Sequence, residues 1–184
     1  MERSVGYGGY LRDECVGNTQ QKPQTKIFTN NIKTMGYTTS YYHVVFRTYR
    51  SEPTISVEHE RELYAYIFGI ARNLRCKTFR IGGMPDHIHL FVSLPPTLSI
   101  ASFVQRVKTD SSKWLKTNPN FPCFQGWARE YAGISKSVSE KDKTIRYIMN
   151  QKEHHKKITF AEEYRVFLLE NGIAIDERYF LRDE

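Results

Sequence analysis

The chain has 184 residues, a formal net charge of +7 and aromatic side chains at 14% of its positions. This length suits one domain with a hydrophobic core and is short for two. A basic, aromatic-rich chain favours a polyanionic partner, such as a nucleic acid, whose bases stack on aromatic rings. The three cysteines form no C-x-x-C pair, which argues against a disulfide framework and against a cysteine zinc site.

The first 34 residues are rich in glycine and asparagine and show no sustained helical or strand period, which predicts a flexible N-terminal extension. Met35 directly precedes the first convincing strand, so one hypothesis is that the functional chain begins there and the upstream segment is a start-site artefact. No apolar run reaches the roughly 18 residues of a membrane span, and a signal-peptide core is missing. We therefore expect no membrane contact and a cytoplasmic location.

Hydropathy periods then predict strands and helices in alternation. β-Forming residues favour a strand at 41–47, and a helical apolar period follows Ser56. A short second strand at 79–81, a tight glycine-rich connection at 82–86 and a third strand at 87–93 form a predicted hairpin. Each of these assignments depends on the spacing of apolar side chains and on turn residues at the boundaries.

The second half of the chain is predicted to be mainly helical. Ser99 is the expected N-cap of a second helix that ends at Asn118-Pro119, and strand material follows at 124–138. Two capping-box patterns predict the starts of a third and a fourth helix, at Ser139 with Asp142 and at Thr159 with Glu162, and Gly172 is the predicted end of the fourth.

The order strand, helix, strand, strand, helix, strand is the split βαβ plan of an α+β fold. The prediction is a ferredoxin-like (RRM-like) antiparallel sheet with helices on one face, to which C-terminal helices are added. Those added helices could cover the second face of the sheet.

The predicted third strand carries a histidine pair, His87-Ile88-His89. Side chains alternate along a strand, so Ile88 enters the core while His87 and His89 share the opposite face, where they can chelate one ion. An isolated H-x-H is more often structural than metal-binding, and two ligands are too few for a site. The tight turn before the pair places it near a strand end, where we expect it to be reachable from solvent.

The predicted third helix offers further groups for such a site. Tyr147 and Gln151 are four residues apart and lie on one helix face, which would bring a hydroxyl nucleophile beside a carbonyl ligand. His154 falls near the same face and is the alternative third ligand. A divalent ion, Mg²⁺ or Mn²⁺, held by these groups would polarise a phosphate oxygen and help the phenol of Tyr147 to attack it.

Basic residues on the second and third predicted helices could neutralise DNA phosphates, although charged runs are usually only solvated faces. The candidates are Arg106, Lys108, Lys113, Lys152 and Lys156.

These motifs together resemble a known family. The segments Gly82–Val92, Leu94–Ser99 and Tyr147–Gln151 are similar, in order and spacing, to the metal strand, the segment after it and the nucleophile helix of the single-tyrosine transposases of bacterial and archaeal insertion sequences, members of the HUH superfamily. The likeness runs from about Tyr41 to His155. It implies a catalytic domain at 35–157, followed by a C-terminal helical extension at 158–184 whose role stays open.

The resemblance implies a function as well. By analogy, His87, His89 and Gln151 are metal ligands and Tyr147 is the nucleophile. The expected enzyme cleaves and rejoins single-stranded DNA near hairpins at element ends through a 5'-phosphotyrosine, without ATP. The family also implies a homodimer with active sites shared between subunits.

Three alternatives remain open at this level. Another HUH nickase, such as a replication initiator or relaxase, would share the chemistry, but the chain is small. A domesticated hairpin-binding protein would keep the fold without cleavage. An RNA-binding split βαβ domain ranks last, because it would need exposed aromatic residues where the third strand carries histidines.

Overall fold

The computed structural model describes residues 37–183, and the predicted N-terminal extension lies outside them. The strands are β1 (Tyr41–Arg47), β2 (Lys77–Met84), β3 (His87–Ser93) and β4 (Ala132–Lys136). The helices are α1 (Glu60–Asn73), α2 (Ile100–Thr117), α3 (Lys141–Met149), α4 (Gln151–His154) and α5 (Phe160–Glu170). Single 3-10 turns lie at Tyr49–Ser51 and Val138–Glu140.

The four strands form one antiparallel sheet in the order β2-β3-β1-β4. The predicted α+β split βαβ plan is therefore confirmed. β1 and β3 are the central strands, and their register pairs Val45 with His89 and Arg47 with His87. The histidine pair thus lies on a central strand of the sheet and is paired with the other central strand, β1.

One face of the sheet carries a continuous apolar core. Ile88, Leu90 and Val92 of β3 are all fully buried there, as their alternation along the strand predicts. They pack with the apolar stripes of α1 and α2, whose central residues are also inaccessible to solvent: Leu63, Ile67, Phe103, Val104 and Val107.

The opposite face of the sheet is covered by the C-terminal helix α5. The sequence had left open whether the added helices cover this face. Phe160, Tyr164 and Phe167 of α5 pack on Val45 and Ala132 of the sheet in a smaller apolar cluster. α5 begins at the predicted capping box of Thr159 and Glu162 and is followed by Gly172, whose φ of +73° lies in the left-handed region that favours glycine.

Beyond α5, the chain returns to the sheet through an ion pair. Asp183 accepts hydrogen bonds from Arg47 Nη1 at 2.5 Å and from the backbone N–H of Arg50 at 2.6 Å. Both ionic side chains are only 3% exposed. The chain after α5 is thereby fixed to the strand that pairs with His87.

Two predicted boundaries need correction. β2 is longer than the expected 79–81, because Gly82 and Gly83 continue the ladder with β3 and only Pro85-Asp86 form the turn. The third helical segment is capped by Ser137 with Glu140, rather than by Ser139 with Asp142, because the Ser137 and Glu140 side chains bond each other's backbone N–H groups.

The predicted third helix is also not continuous. It is interrupted at Asn150, whose φ and ψ of −93° and 8° depart from helical values, so Tyr147 and Gln151 belong to separate helices, α3 and α4. Within residues 37–183, no helix combines the length and apolar character needed to cross a bilayer.

Candidate metal and nucleophile site

The site is centred on the two histidines of β3. His87 and His89 lie on the face covered by α5 and are 0% and 1% exposed. The expectation that they would be reachable from solvent is therefore wrong for this structure. Phe160 of α5 stacks on the His87 ring, with centroids 4.3 Å apart, and contributes to that burial.

Neighbouring side chains fix how both imidazole rings are turned. Asp86 Oδ1 lies 2.7 Å from Nδ1 of His87, and His43 Nε2 lies 3.0 Å from Nδ1 of His89. If each Nδ1–H donates to that partner, each Nε2 keeps a free lone pair. Neither Nε2 has a hydrogen-bond partner although both are buried, which is the arrangement expected of two ligands turned toward one ion.

Glu163 of α5 reaches the same point. Its Oε2 lies 3.7 Å from Nε2 of His87 and 3.5 Å from Nε2 of His89, and its side chain is 3% exposed. His155 Nε2 lies 2.9 Å from the same oxygen, and its Nδ1 lies 3.0 Å from the Ile158 carbonyl. A buried carboxylate therefore lies among three imidazoles.

The predicted nucleophile and third ligand contact the other oxygen of this carboxylate. The Tyr147 hydroxyl donates to Glu163 Oε1, and Gln151 Nε2 donates to the same atom at 2.8 Å. Gln151 is buried, and its carbonyl Oε1 has no partner. The rings of Tyr147 and His89 are 5.8 Å apart. One chain thus brings together all four residues that the sequence predicts for catalysis.

A glycine allows the tyrosine helix to approach the sheet this closely. A Cβ at Gly82 would lie 2.9 Å from the carbonyl oxygen of Ile148, the residue after Tyr147. No side chain larger than hydrogen fits between β2 and α3 at this position unless the helix backbone moves.

The buried groups influence one another's pKa values. Burial lowers the pKa of His89 to about 4 and lowers that of His43, so both rings stay neutral. Burial and the Glu163 carboxylate raise the pKa of Tyr147. Burial by itself would raise the pKa of Glu163, but the hydrogen bond from His155 and the His89 ring 3.5 Å away outweigh it and the net shift is downward.

His155 has the opposite shift from its neighbours. Burial lowers its pKa, yet the hydrogen bond to Glu163 outweighs that effect, and the net shift is upward. Two donating ring nitrogens are the property of an imidazolium, which matches its two acceptors. His155 therefore has an acceptor at each ring nitrogen, the Ile158 carbonyl and the Glu163 carboxylate.

These residues fit a divalent metal ion. His87, His89 and Glu163 each offer one ligand atom, and the three atoms lie within 4.8 Å of one another. The Gln151 carbonyl oxygen, which has no hydrogen-bond partner, is a fourth potential metal ligand. Imidazoles with carboxylate or amide oxygens are compatible with Mg²⁺, Mn²⁺ or Zn²⁺. His154, the alternative ligand, is 37% exposed, but its Nε2 is buried without a hydrogen-bond partner and lies 3.6 Å from Glu163 Oε1.

A cavity of about 260 Å³ adjoins the tyrosine. Its walls include Tyr147, His43, His154, Lys136 and Lys143. Three glutamates, Glu140, Glu163 and Glu170, also line it, and Lys136 pairs with Glu140 at 3.3 Å.

The predicted DNA-binding residues are spread over both sides of the sheet. Arg106, Lys108 and Lys113 lie on α2, on the face opposite the histidines. Arg106 pairs with Asp110, and Lys108 donates to the Arg129 and Glu130 carbonyls. Lys152 and Lys156 lie near α4 and pair with Glu60 and Glu153. Their contact with DNA stays a prediction.

Sequence reasoning missed the groups around the ligands. Asp86 and His43 could have been found, because one precedes His87 in the turn and the other alternates onto the histidine face of β1. No sequence signal identified Glu163 or His155, since their position depends on how α5 folds back across the sheet.

The comparisons with known proteins give a family for this chain. The model of the family "Transposase IS200 like" matches residues 37–151, which is more than half of the chain. This chain belongs to the IS200-like transposase family. The match ends at Gln151, so α5 lies outside the matched segment. The comparison with curated proteins found no match.

Two solved structures resemble this IS200-like transposase. A structure of a candidate transposase from Deinococcus radiodurans is 24% identical, with a TM-score of 0.49, over 65% of this chain and 97% of that one. A REP-associated tyrosine transposase bound to a REP hairpin is 15% identical, with a TM-score of 0.50, over 79% of this chain and 91% of that one. The second likeness supports the fold assignment.

Proposed function

We propose that this transposase cleaves and rejoins single-stranded DNA at insertion-sequence ends through a 5'-phosphotyrosine on Tyr147, with Mg²⁺ or Mn²⁺ and without ATP. The observation that carries the proposal is the convergence of the Tyr147 hydroxyl with two histidines whose buried Nε2 atoms lack partners. Together they form a nucleophile beside an ion site, within a transposase family.

His87, His89 and Gln151 would hold the ion. Asp86 and His43 keep the two imidazoles turned so that their Nε2 lone pairs face the site. A bound divalent ion would supply Lewis-acid polarisation of a non-bridging phosphate oxygen.

Tyr147 would attack the phosphorus. Its raised pKa keeps the phenol protonated at rest, so attack must coincide with loss of the proton. The nearest acceptor is Glu163 Oε1, to which the hydroxyl already donates. As the bond from phosphorus to the tyrosine oxygen forms, the bond from phosphorus to the 3' oxygen of the flanking strand would break, and that oxygen would take up a proton and leave as a free 3'-hydroxyl. The phosphotyrosine would conserve the free energy of the broken phosphodiester, so rejoining would need no ATP.

A DNA hairpin is the proposed partner. The REP-associated neighbour was solved with a REP hairpin, and the present chain offers basic side chains near its own tyrosine. Lys143 lines the cavity next to Tyr147 and would balance part of the charge of the phosphate that reacts there, whereas Lys136 in the same lining pairs with Glu140.

The homodimer with shared active sites is part of the proposal, although Tyr147 and His89 of one chain are already adjacent. Mixing His89→Ala with Tyr147→Phe protein tests it. Recovery of cleavage in the mixture indicates that one subunit supplies the tyrosine and the other the histidines. If the mixture stays as inactive as each variant alone, each site is formed within one chain.

The central experiment uses labelled single-stranded DNA with hairpins from the flanks of the gene, in Mn²⁺ or EDTA. Wild-type protein should form a covalent adduct only with metal, and Tyr147→Phe should form none. Tyr64→Phe is the matched control, because the Tyr64 hydroxyl also contacts a glutamate, Glu60, at 3.4 Å but lies on α1. Hairpin binding without any adduct would favour the non-cleaving hairpin-binding alternative.

A further inference from the structure

We propose that Glu163 is a ligand of the metal ion, so that α5, which lies outside the matched family segment, completes the metal centre. The inference rests on the proposed function, because it assigns a further residue to the same ion. It gives the predicted C-terminal extension at 158–184 a role that the sequence left open.

The distances carry the first step. Glu163 Oε2 is within 3.7 Å of both free histidine nitrogens, and no other carboxylate among the described residues forms such a group with them. An ion between these three atoms would give both buried Nε2 atoms the partner that they lack. It would also give the carboxylate oxygen a cation.

The contacts of the other carboxylate oxygen carry the second step. Gln151 Nε2 and the Tyr147 hydroxyl both donate to Oε1, which leaves Oε2 on the side of the histidines. Gln151 therefore has two functions in this arrangement: its amide N–H positions Glu163, and its partnerless carbonyl remains available to the ion.

The cost of burying the charge is the third step. An ionised carboxylate that is 3% exposed is expensive unless cations balance it. His155 Nε2 contacts Oε2 of this carboxylate at 2.9 Å from one side, while its Nδ1 lies on the Ile158 carbonyl. A divalent ion at the histidine pair would balance the carboxylate from the other side. An anionic oxygen also shifts the preference of the site toward hard ions such as Mg²⁺ and Mn²⁺.

α5 is built to hold Glu163 in place. The capping box of Thr159 and Glu162 fixes the first turn of the helix, immediately before Glu163. Phe160 and Phe167, on either side of it in sequence, anchor the helix to the sheet.

The test is Mn²⁺ affinity of the full chain, measured by calorimetry and by the electron paramagnetic resonance signal of free Mn²⁺. Glu163→Gln keeps the shape of the side chain and should weaken Mn²⁺ binding by about tenfold or more. Glu58→Gln removes the same charge from an exposed position before α1 and should leave the affinity within about twofold. Thermal melting confirms that each variant is folded.

If Glu163→Gln binds Mn²⁺ as tightly as wild type, or more tightly, Glu163 merely fills the site in the metal-free state and the inference is overturned. Glu163→Asp keeps the charge and serves if the glutamine variant does not fold. Its shorter side chain should bind Mn²⁺ several-fold more weakly than wild type, and unchanged affinity would overturn the inference.

The outcomes separate the two proposals. Wild-type binding with an unaffected Glu163→Gln removes only the Glu163 ligand. A weakened Glu163→Gln together with no DNA adduct from wild type supports the ligand and removes the cleavage proposal. Absence of Mn²⁺ binding by wild type removes the ligand and the metal-assisted step together.

Discussion

The two faces of the sheet are built on different principles. The face under α1 and α2 buries apolar side chains in continuous contact, whereas the face under α5 buries His43, His87, His89, Gln151 and Glu163 around a small apolar cluster. On the second face, four buried polar atoms of the site lack hydrogen-bond partners: Nε2 of each β3 histidine, the Gln151 carbonyl oxygen and Nε2 of His154. Proteins seldom leave such atoms unpaired, so the second face reflects a requirement of function.

The largest expected difference between the two faces comes from substituting one glycine on each. Gly82→Ala should reduce adduct formation by about 100-fold, because the added methyl group would displace the Ile148 backbone and with it Tyr147. Gly69→Ala, in α1 on the apolar face, meets no atom within 4 Å and should stabilise the helix by up to ~1 kcal/mol without changing activity. Gel assays of adduct formation, with urea unfolding, measure both. Equal activities would show that α3 tolerates displacement.

Neighbouring residues of β3 should separate stability from metal binding. Leu90→Ala should cost ~2–5 kcal/mol of unfolding free energy, because it leaves a cavity in the apolar core. It should keep the gain of ~2.7 kcal/mol expected when Mn²⁺ is present at 100 times its dissociation constant. His89→Ala should lose that Mn²⁺-dependent gain. A gain that persists in His89→Ala would place the ion elsewhere.

Acid should weaken the histidine face of the metal-free protein. The pKa of His89 is about 4 in the folded protein because the ring is buried, against an ordinary value of 6.5. Between these two pH values the unfolded chain binds a proton that the folded protein does not, so stability falls as pH falls, by at most ~1.4 kcal/mol per pH unit. His89→Gln should show a shallower decline in urea unfolding from pH 7 to 4.5. Parallel curves would remove His89 as the source.

The smallest expected effect concerns phosphate contacts. Lys143→Gln, beside the Tyr147 cavity, should reduce the slope of log affinity against log salt by about 0.7, the value for one phosphate contact on single-stranded DNA. Arg106→Gln, on the opposite face, should change the slope less, because Arg106 is paired with Asp110. Equal changes would show that DNA also passes over α2, as the sequence analysis suggested.

The fold and half of the site could be predicted because they depend on local patterns. Alternation along β3 separated Ile88 from its histidine neighbours, and the apolar spacing of α1 and α2 marked the core face. Tyr147 and Gln151 were paired by helical spacing, and they do converge, although Asn150 interrupts the helix between them.

The remaining half of the site depends on long-range packing. Glu163 reaches the histidines only because α5 crosses the sheet, and no local pattern encodes where a helix docks. The burial of His87 has the same origin, since Phe160 stacks on it from α5. The prediction that the two histidines are reachable from solvent was wrong because it considered β3 without α5, which packs over it.

The ion pair between Arg47 and Asp183 has a consequence for proteolytic processing. Both side chains are almost fully buried, and loss of one partner from such a pair typically costs ~3–5 kcal/mol because the other charge is left uncompensated. If a protease removed Asp183, the guanidinium of Arg47, the residue that pairs with His87 in the sheet, would be left buried without its partner. Such clipping, far from Tyr147 in sequence, would loosen the helix that covers the site.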